Sequence, residues 1–226
     1  MTTLLLRLVG PLQAWGVQSR FAVRDTGREP SKSGVVGLLA AALGRTRDRP
    51  VDDLAALRMA VRVDQEGRIL RDWHVAGVGG YLKASGAVER ANVIPSTRYY
   101  LTDARFLVGL EGDDADLLAR LHVALRDPVW PLFLGRKACV PGEPVWLCDG
   151  LQPDALLDAL KDYPWLGSDP RKYPERVRLV VEDADGPEVR PDQPLSFAER
   201  QFAPRRVRTC LVDAPPIKEA PCTSLD

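Results

Sequence analysis

A nearly apolar heptapeptide, Thr3–Val9 (TLLLRLV), ends at Gly10-Pro11, and this pairing constrains the fold more than any other feature. Leu4, Leu6 and Leu8 share one face at strand spacing, so the segment reads as a buried first strand that needs cover. The cover is written further along the chain. Ser33 is placed to cap a helix over Gly34–Leu43 (GVVGLLAAAL), which Gly44 closes. The small residues Gly34, Gly37, Ala40 and Ala41 let that helix press onto a sheet. Asp52–Leu57 reads as a short helical turn. Met59–Val63 and Arg68–His74 flank Asp64-Gln65-Glu66-Gly67, the pattern of a hairpin.

Arg98–Leu110 returns to strand character, with Phe106, Val108 and Leu110 alternating. Asp114–Leu125 carries Leu117, Leu118, Leu121 and Leu125 at helical spacing, and Val129–Leu134 reads as a further strand. The order β-α-β-β-α-β predicts an α+β, ferredoxin-like (RRM-like) domain over residues 1–140. Gly77–Thr97, rich in glycine and without a period, reads as an excursion protruding between strands. Beyond residue 140 the chain becomes proline-rich. A short helix over Pro153–Lys161 and strands at Arg176–Glu182 and Arg205–Asp213 predict a smaller β-rich region over 141–226, with a loose tail from Ala214.

No apolar run approaches the roughly 20 residues that span a bilayer, and Met1–Val9 is too short for a signal peptide, so a cytoplasmic chain is expected. Cys139, Cys148 and Cys210 are expected in the core. No C-x-x-C pair exists, and His74 and His122 lie far apart, so no metal or cofactor is expected.

The chain holds 31 basic and 31 acidic residues, which excludes a free polycation that coats nucleic acid. The balance is uneven along the sequence. Residues 1–49 hold eight basic side chains (Arg7, Arg20, Arg24, Arg28, Lys32, Arg45, Arg47, Arg49) against three acids, Asp25, Glu29 and Asp48. Of the 31 cations, 25 are arginine, whose planar fork suits phosphates and base edges. Arg205, Arg206 and Arg208 form a second basic cluster.

Three segments have the makings of a nucleic-acid contact. The loop from Gln13 to Lys32 combines Trp15 and Phe21 with Arg20, Arg24 and Arg28, and runs into a helix start at Lys32-Ser33-Gly34, where free N–H groups suit a phosphate. Its alternative has Trp15 in the core and the arginines solvated. The turn Gly135-Arg136-Lys137 lets backbone approach a ligand closely beside two cations. The excursion supplies Lys83, Arg90 and Arg98. The aromatic strand pattern of an ordinary RNA-recognition module is absent. One enzymatic alternative remains, metal-independent RNA cleavage, with His74, Lys83, Tyr99 and Tyr100 as the available acid–base groups.

Four segments carry a resemblance: Leu6–Gly16 (LRLVGPLQAWG), Pro30–Leu39 (PSKSGVVGLL), Arg98–Ala104 (RYYLTDA) and Leu134–Cys139 (LGRKAC). Their order and spacing resemble the CasD subunits of type I-E CRISPR Cascade surveillance complexes, members of the RAMP superfamily. The resemblance spans residues 4–139. It implies a non-catalytic subunit that holds the 5′ handle of the crRNA, caps the CasC backbone filament, touches the large subunit CasA, and meets target DNA through the complex. It also implies that residues 77–97 form a thumb over the guide RNA. The resemblance places Arg98 and the Gly135-Arg136-Lys137 turn at the RNA, and together with the segments above the residues expected to face RNA are Gln13, Trp15, Arg20, Arg24, Lys32, Ser33, Lys83, Arg90, Arg98, Tyr99, Gly135, Arg136 and Lys137.

Overall fold

A computed structural model describes residues 2–18, 22–167 and 169–217. The first strand, β1 (Thr2–Val9), is followed by two short strands, β2 (Leu12–Gln13) and β3 (Val23–Arg24). Helices α1 (Lys32–Ala42) and α2 (Asp52–Ala55) lead into β4 (Arg58–Gln65) and β5 (Arg68–Ala76). Next come β6 (Tyr81–Leu82), β7 (Val88–Glu89), β8 (Ile94–Thr102), β9 (Arg105–Gly112) and α3 (Ala115–Arg126). The remainder is β10 (Leu151–Gln152), α4 (Leu156–Asp162), β11 (Arg176–Glu182), β12 (Glu188–Ser196) and β13 (Gln201–Asp213).

A seven-stranded antiparallel sheet in the order β10-β1-β9-β4-β11-β13-β12 forms the body. Both of its faces are covered, which is why β1 is apolar on both sides. Leu4, Leu6, Leu8, Met59, Val61, Phe106 and Val108 pack with α1 and α3 on one face. Leu5, Ala60 and Leu107 pack with Leu156, Ala159 and Leu160 of α4 on the other. The sheet runs without a break across residue 140: β10 flanks one edge of β1, and β11 to β13 extend the edge beyond β4.

The structure corrects several expectations. The segments on either side of Asp64–Gly67 are not a hairpin. β4 pairs with β9 and β11, whereas β5 leaves the main sheet and pairs with β8 in a second one. Residues 129–134 are not a strand; Pro131 removes a ladder donor there. The strand beside β1 is instead β10. β12 escaped the sequence reading because Pro191 and Pro194 lie within it, and it tolerates them as an edge strand with two register shifts.

The α1 cap is Ser31, whose Oγ accepts from Gly34 N at 3.3 Å, so Lys32 and Ser33 lie inside the helix. Cys139 is buried, but Cys148 and Cys210 are exposed. Ala214–Ile217 is tied down, with Pro216 O accepting from Trp165 N (2.8 Å) and Pro215 O from the Tyr173 hydroxyl (2.7 Å). The rest of the expected loose tail, from Lys218, lies outside the described residues. Among the described residues no helix is long and apolar enough to cross a membrane.

Candidate nucleic-acid interface

The second sheet is organised around β8. Its full length pairs with β5, from Ala76↔Ile94 to Arg68↔Thr102. Its other edge takes β2 (Gln13↔Leu101) and, in parallel, β3 (Val23↔Thr97, Arg24↔Arg98). Residues opposite one another in a ladder share a face, and successive residues alternate. One face therefore carries Arg24, Arg98, Asp72, His74, Ser96 and Tyr100. The opposite face carries Val23, Thr97, Trp73 and Tyr99. The far end of the β5–β8 ladder bears the small β6–β7 pair within residues 77–93, while 94–97 of the expected excursion are strand.

Arg24 and Arg98 thus sit side by side on neighbouring strands. Arg24 is exposed and has no hydrogen-bond or ion-pair partner among the described residues. The Arg98 Nε is buried and likewise has no partner there. Like charges on paired positions of neighbouring strands disfavour one another, with Asp72 of β5 the acid that shares their face, and a donor left without an acceptor costs stability, so the pair favours an incoming anion.

The turn at Gly135 docks against this edge. Ala14 N donates to Leu134 O (3.0 Å), Leu134 N to Cys139 O (2.7 Å), and Cys139 N to Arg136 O (2.8 Å). Gly135 has φ +87°, and a Cβ there would fall 1.7 Å from Ala14 O. Only glycine permits that approach. Arg136 follows. Its guanidinium donates to Tyr99 O (Nη1, 3.0 Å) and Asp25 O (Nη2, 2.7 Å), and its Cζ lies 4.9 Å from the Tyr100 ring centroid. The Asp25 carboxylate in turn accepts from Val17 N (3.3 Å) and Gln18 N (3.1 Å), folding the loop back on itself. Sequence reasoning gave Asp25 and Asp72 no role, and no motif marks either.

The loop, the turn and the β8 arginine, far apart in sequence, therefore meet at one edge. Other expected residues do not join them. Gln13 is fully buried: its Nε2 donates to Leu8 O (3.2 Å) and Ala104 O (2.8 Å), and its Oε1 accepts from Trp15 Nε1 (3.0 Å). Trp15 is buried beneath the start of α1, against Gly34. Both serve the core because their polar atoms are satisfied inside it.

Lys32 is also interior, with its Nζ 2.9 and 2.8 Å from the two Glu182 oxygens. Its backbone N–H is taken by Asp192 (2.8 Å), so the α1 start already holds a protein carboxylate. Ser33 is half-buried in the first turn of α1. Arg20 and Phe21 lie outside the described residues. Lys83 pairs with Glu89 at 2.5 Å, which holds the Glu89 carboxyl down at about 2. Arg90 and Lys137 are exposed.

His74, Lys83 and Tyr99 are not assembled as an acid–base set. His74 and Tyr99 leave opposite faces of the ladder, and Lys83 is engaged near the β6–β7 pair.

Several cations away from this edge are paired within the fold. Arg205 pairs with Asp192 (2.7 Å), Arg208 with Asp183 (2.6 Å), and Arg206 donates to Gly186 O (2.9 Å). The second basic cluster is therefore spent on internal contacts. Arg7 pairs with Glu143 (2.9 Å) and Arg45 with Asp53 (2.6 Å). Among the described residues no group of three His, Cys, Asp or Glu side chains is arranged to hold a metal ion.

Comparison with known proteins gives this arrangement a lineage. A family described as CRISPR-associated protein (Cas_Cas5) matches over residues 3–208. The chain belongs to this Cas5 family. The Cas5 match takes in the β8 edge, the Gly135 turn and most of the C-terminal strands. A curated relative, the CRISPR system Cascade subunit CasD of Escherichia coli (strain K12), is 34% identical over 221 residues, covering 89% of this chain and 92% of its own. A crystal structure of a Cas protein is 47% identical with a TM-score of 0.76, over 95% of this chain and 98% of that one. A chain of a CRISPR RNA-guided surveillance complex is 33% identical with a TM-score of 0.79, over 94% of this chain and 90% of that one.

Proposed function

We propose that this Cas5-family chain is an RNA-binding, non-catalytic subunit of a type I-E Cascade complex that holds the 5′ handle of the crRNA. The observation that carries the reading is the Arg24–Arg98 pair on the neighbouring strands β3 and β8, neither of them in an ion pair among the described residues, in a chain that is similar to CasD over most of its length. Paired arginines and a sheet face suit a single-stranded backbone bearing 2′-hydroxyls. The strand order β10-β1-β9-β4, with α1 and α3 on one face, supports a ferredoxin-like core. The long β5–β8 ladder and its β6–β7 end support a thumb that lies over the guide, with Lys83, Arg90 and the exposed Trp73 within reach of RNA and of a neighbouring CasC subunit. In this reading residues 1–140 supply the RNA-facing groups, and 141–226 extend the sheet toward protein neighbours, CasA among them. Target DNA is met through the assembled complex in the cytoplasm. The separation of His74, Tyr99 and Lys83 supports binding over cleavage, so the crRNA is a held ligand and no cofactor is involved.

The test is a binding titration with handle RNA alongside an assay with full repeat RNA, without metal. Tight handle binding that weakens in Arg24→Ala plus Arg98→Ala is expected, with the slope of log affinity against log salt falling by about 1.4 for two lost single-strand phosphate contacts. Cleavage of the repeat that disappears in His74→Ala would overturn the non-catalytic reading. An unchanged affinity and slope in the double arginine variant would remove the β8 edge from the site.

A further inference from the structure

Arg136 was expected to touch RNA directly, but its donors point into the protein. The carbonyl it bonds on the loop belongs to Asp25, the residue after Arg24, and the carbonyl it bonds on β8 belongs to Tyr99, the residue after Arg98. Arg24 and Arg98 are themselves partners in the two-residue β3–β8 ladder. One planar fork therefore bridges equivalent positions on two strands, immediately beyond the arginine pair. A parallel ladder of two residues has little stability of its own, and this one sets two like charges next to each other. The flanking backbone bonds are few: Thr97 N to Ala22 O at 2.8 Å on one side, and Gly27 N to Trp15 O at 3.0 Å where the loop closes. The Tyr100 ring beneath the guanidinium completes the seat.

We infer that Arg136 is a positioning residue: by bridging Asp25 O and Tyr99 O it locks β3 onto β8 in the one register that sets Arg24 beside Arg98, and so builds a two-arginine clip for an anionic backbone. The RNA ligand of that clip rests on the function proposed above, whereas the locking is a property of the free protein. Lysine cannot substitute. Its single ammonium lacks the fixed planar geometry that reaches two carbonyls while lying over a ring. Neighbouring Lys137, exposed and outside this seat, is the cation of the turn that is free to meet a ligand directly.

The experiment uses the full chain and two readouts. Hydrogen exchange without RNA is followed at the amides of Val17, Gln18, Gly27 and Thr97 in wild type, Arg136→Lys and Arg136→Ala. Both variants are expected to raise exchange at these amides by at least about tenfold while the α3 and β9 amides stay unchanged, because loss of a charge-assisted bond is worth about that factor. Affinity for single-stranded handle RNA is then measured in a double-mutant cycle. Arg136→Lys is expected to lose about tenfold, and to lose little more once Arg98→Ala is present, because it acts through the clip. Arg136→Lys with Lys137→Ala is expected to be additive.

Arg136→Lys with wild-type exchange would overturn the inference, as would full additivity with Arg98→Ala, which would make Arg136 an independent RNA contact. Raised exchange in a chain whose wild type binds no handle RNA would uphold the locking and overturn the proposed function instead. Arg136→Lys retains the charge, so it keeps the test valid if Arg136→Ala fails to fold.

Discussion

Arg62 and Asp64 face one another along the same strand as a fully buried ion pair, Nε to Oδ1 at 2.6 Å and Nη2 to Oδ2 at 2.8 Å. Lying two apart on β4, they share the face that carries α4. The remaining Arg62 donors go to the carbonyls of Leu160, Tyr163 (2.6 Å) and Pro164 (3.0 Å), so the guanidinium caps the C-terminal end of α4. Asp64 accepts from Leu166 N at 2.7 Å. The pair thus fastens the α4 layer to the sheet through groups that have no access to water.

Removing one partner strands the other charge in the interior. Asp64→Ala is expected to lower stability by about 3–5 kcal/mol, measured as the shift in urea unfolding. The double variant Arg62→Met plus Asp64→Leu is expected to cost less than Asp64→Ala, since no lone charge remains. A loss below about 1 kcal/mol in Asp64→Ala would show that solvent reaches Arg62.

Ser31 and Ser33 separate two readings of where α1 begins. Ser31 accepts the Gly34 N–H, whereas the Ser33 hydroxyl lies 3.5 Å from Ser31 Oγ. Ser31→Ala is expected to cost about 1 kcal/mol in thermal or chemical unfolding, the ordinary worth of an N-cap, and Ser33→Ala only a few tenths. The reverse ranking would restore the cap to Ser33.

What the sequence made legible, and what it did not, follows from which contacts are local. β1, α3 and β11 are readable because their apolar spacing reports the face they bury. The sequence places the cap of α1 two residues late because two serines flank Lys32, and each satisfies the pattern. The break between β4 and β5 falls where the sequence puts it, but turn chemistry does not specify pairing. β5 finds its partner 26 residues later, because polar residues on both its faces make it unfit for the buried sheet. A core Trp15 is one of the two readings its loop allows, whereas an interior Gln13 is not legible: their mutual hydrogen bond and the carbonyls of Leu8 and Ala104 exist only once the loop is folded. The same holds for Arg136, whose partners lie 37 and 111 residues away.

Gly135 tests whether the turn's flexibility or its closeness matters. Its φ of +87° disfavours any side chain, and the Cβ position coincides with Ala14 O. Gly135→Ala is expected to destabilise by more than about 2 kcal/mol, beyond the usual penalty for a strained backbone alone. Exchange of the Ala14 amide, bonded to Leu134 O, is expected to rise with it. A stable Gly135→Ala variant with a protected Ala14 amide would mean that the loop and turn do not touch.

Lys32 predicts an unusual alkaline behaviour. Its side chain is 2% exposed, and burial pushes the ammonium below its ordinary value of 10.5 even though Glu182 bonds it and draws the value up. In the unfolded chain the group returns to 10.5. Between the lowered value and 10.5 the folded protein has released a proton that the unfolded chain still holds, so unfolding takes one up and stability contributed by this group rises with pH. Below that interval both states are protonated and the contribution is flat. Urea midpoints of wild type and Lys32→Met, followed from about pH 8 to the unfolded value, isolate the effect from tyrosines and other lysines common to both. The difference is expected to move in favour of the wild type as pH rises. A difference that moves the other way would mean that the pairing with Glu182 outweighs the cost of burying the charge.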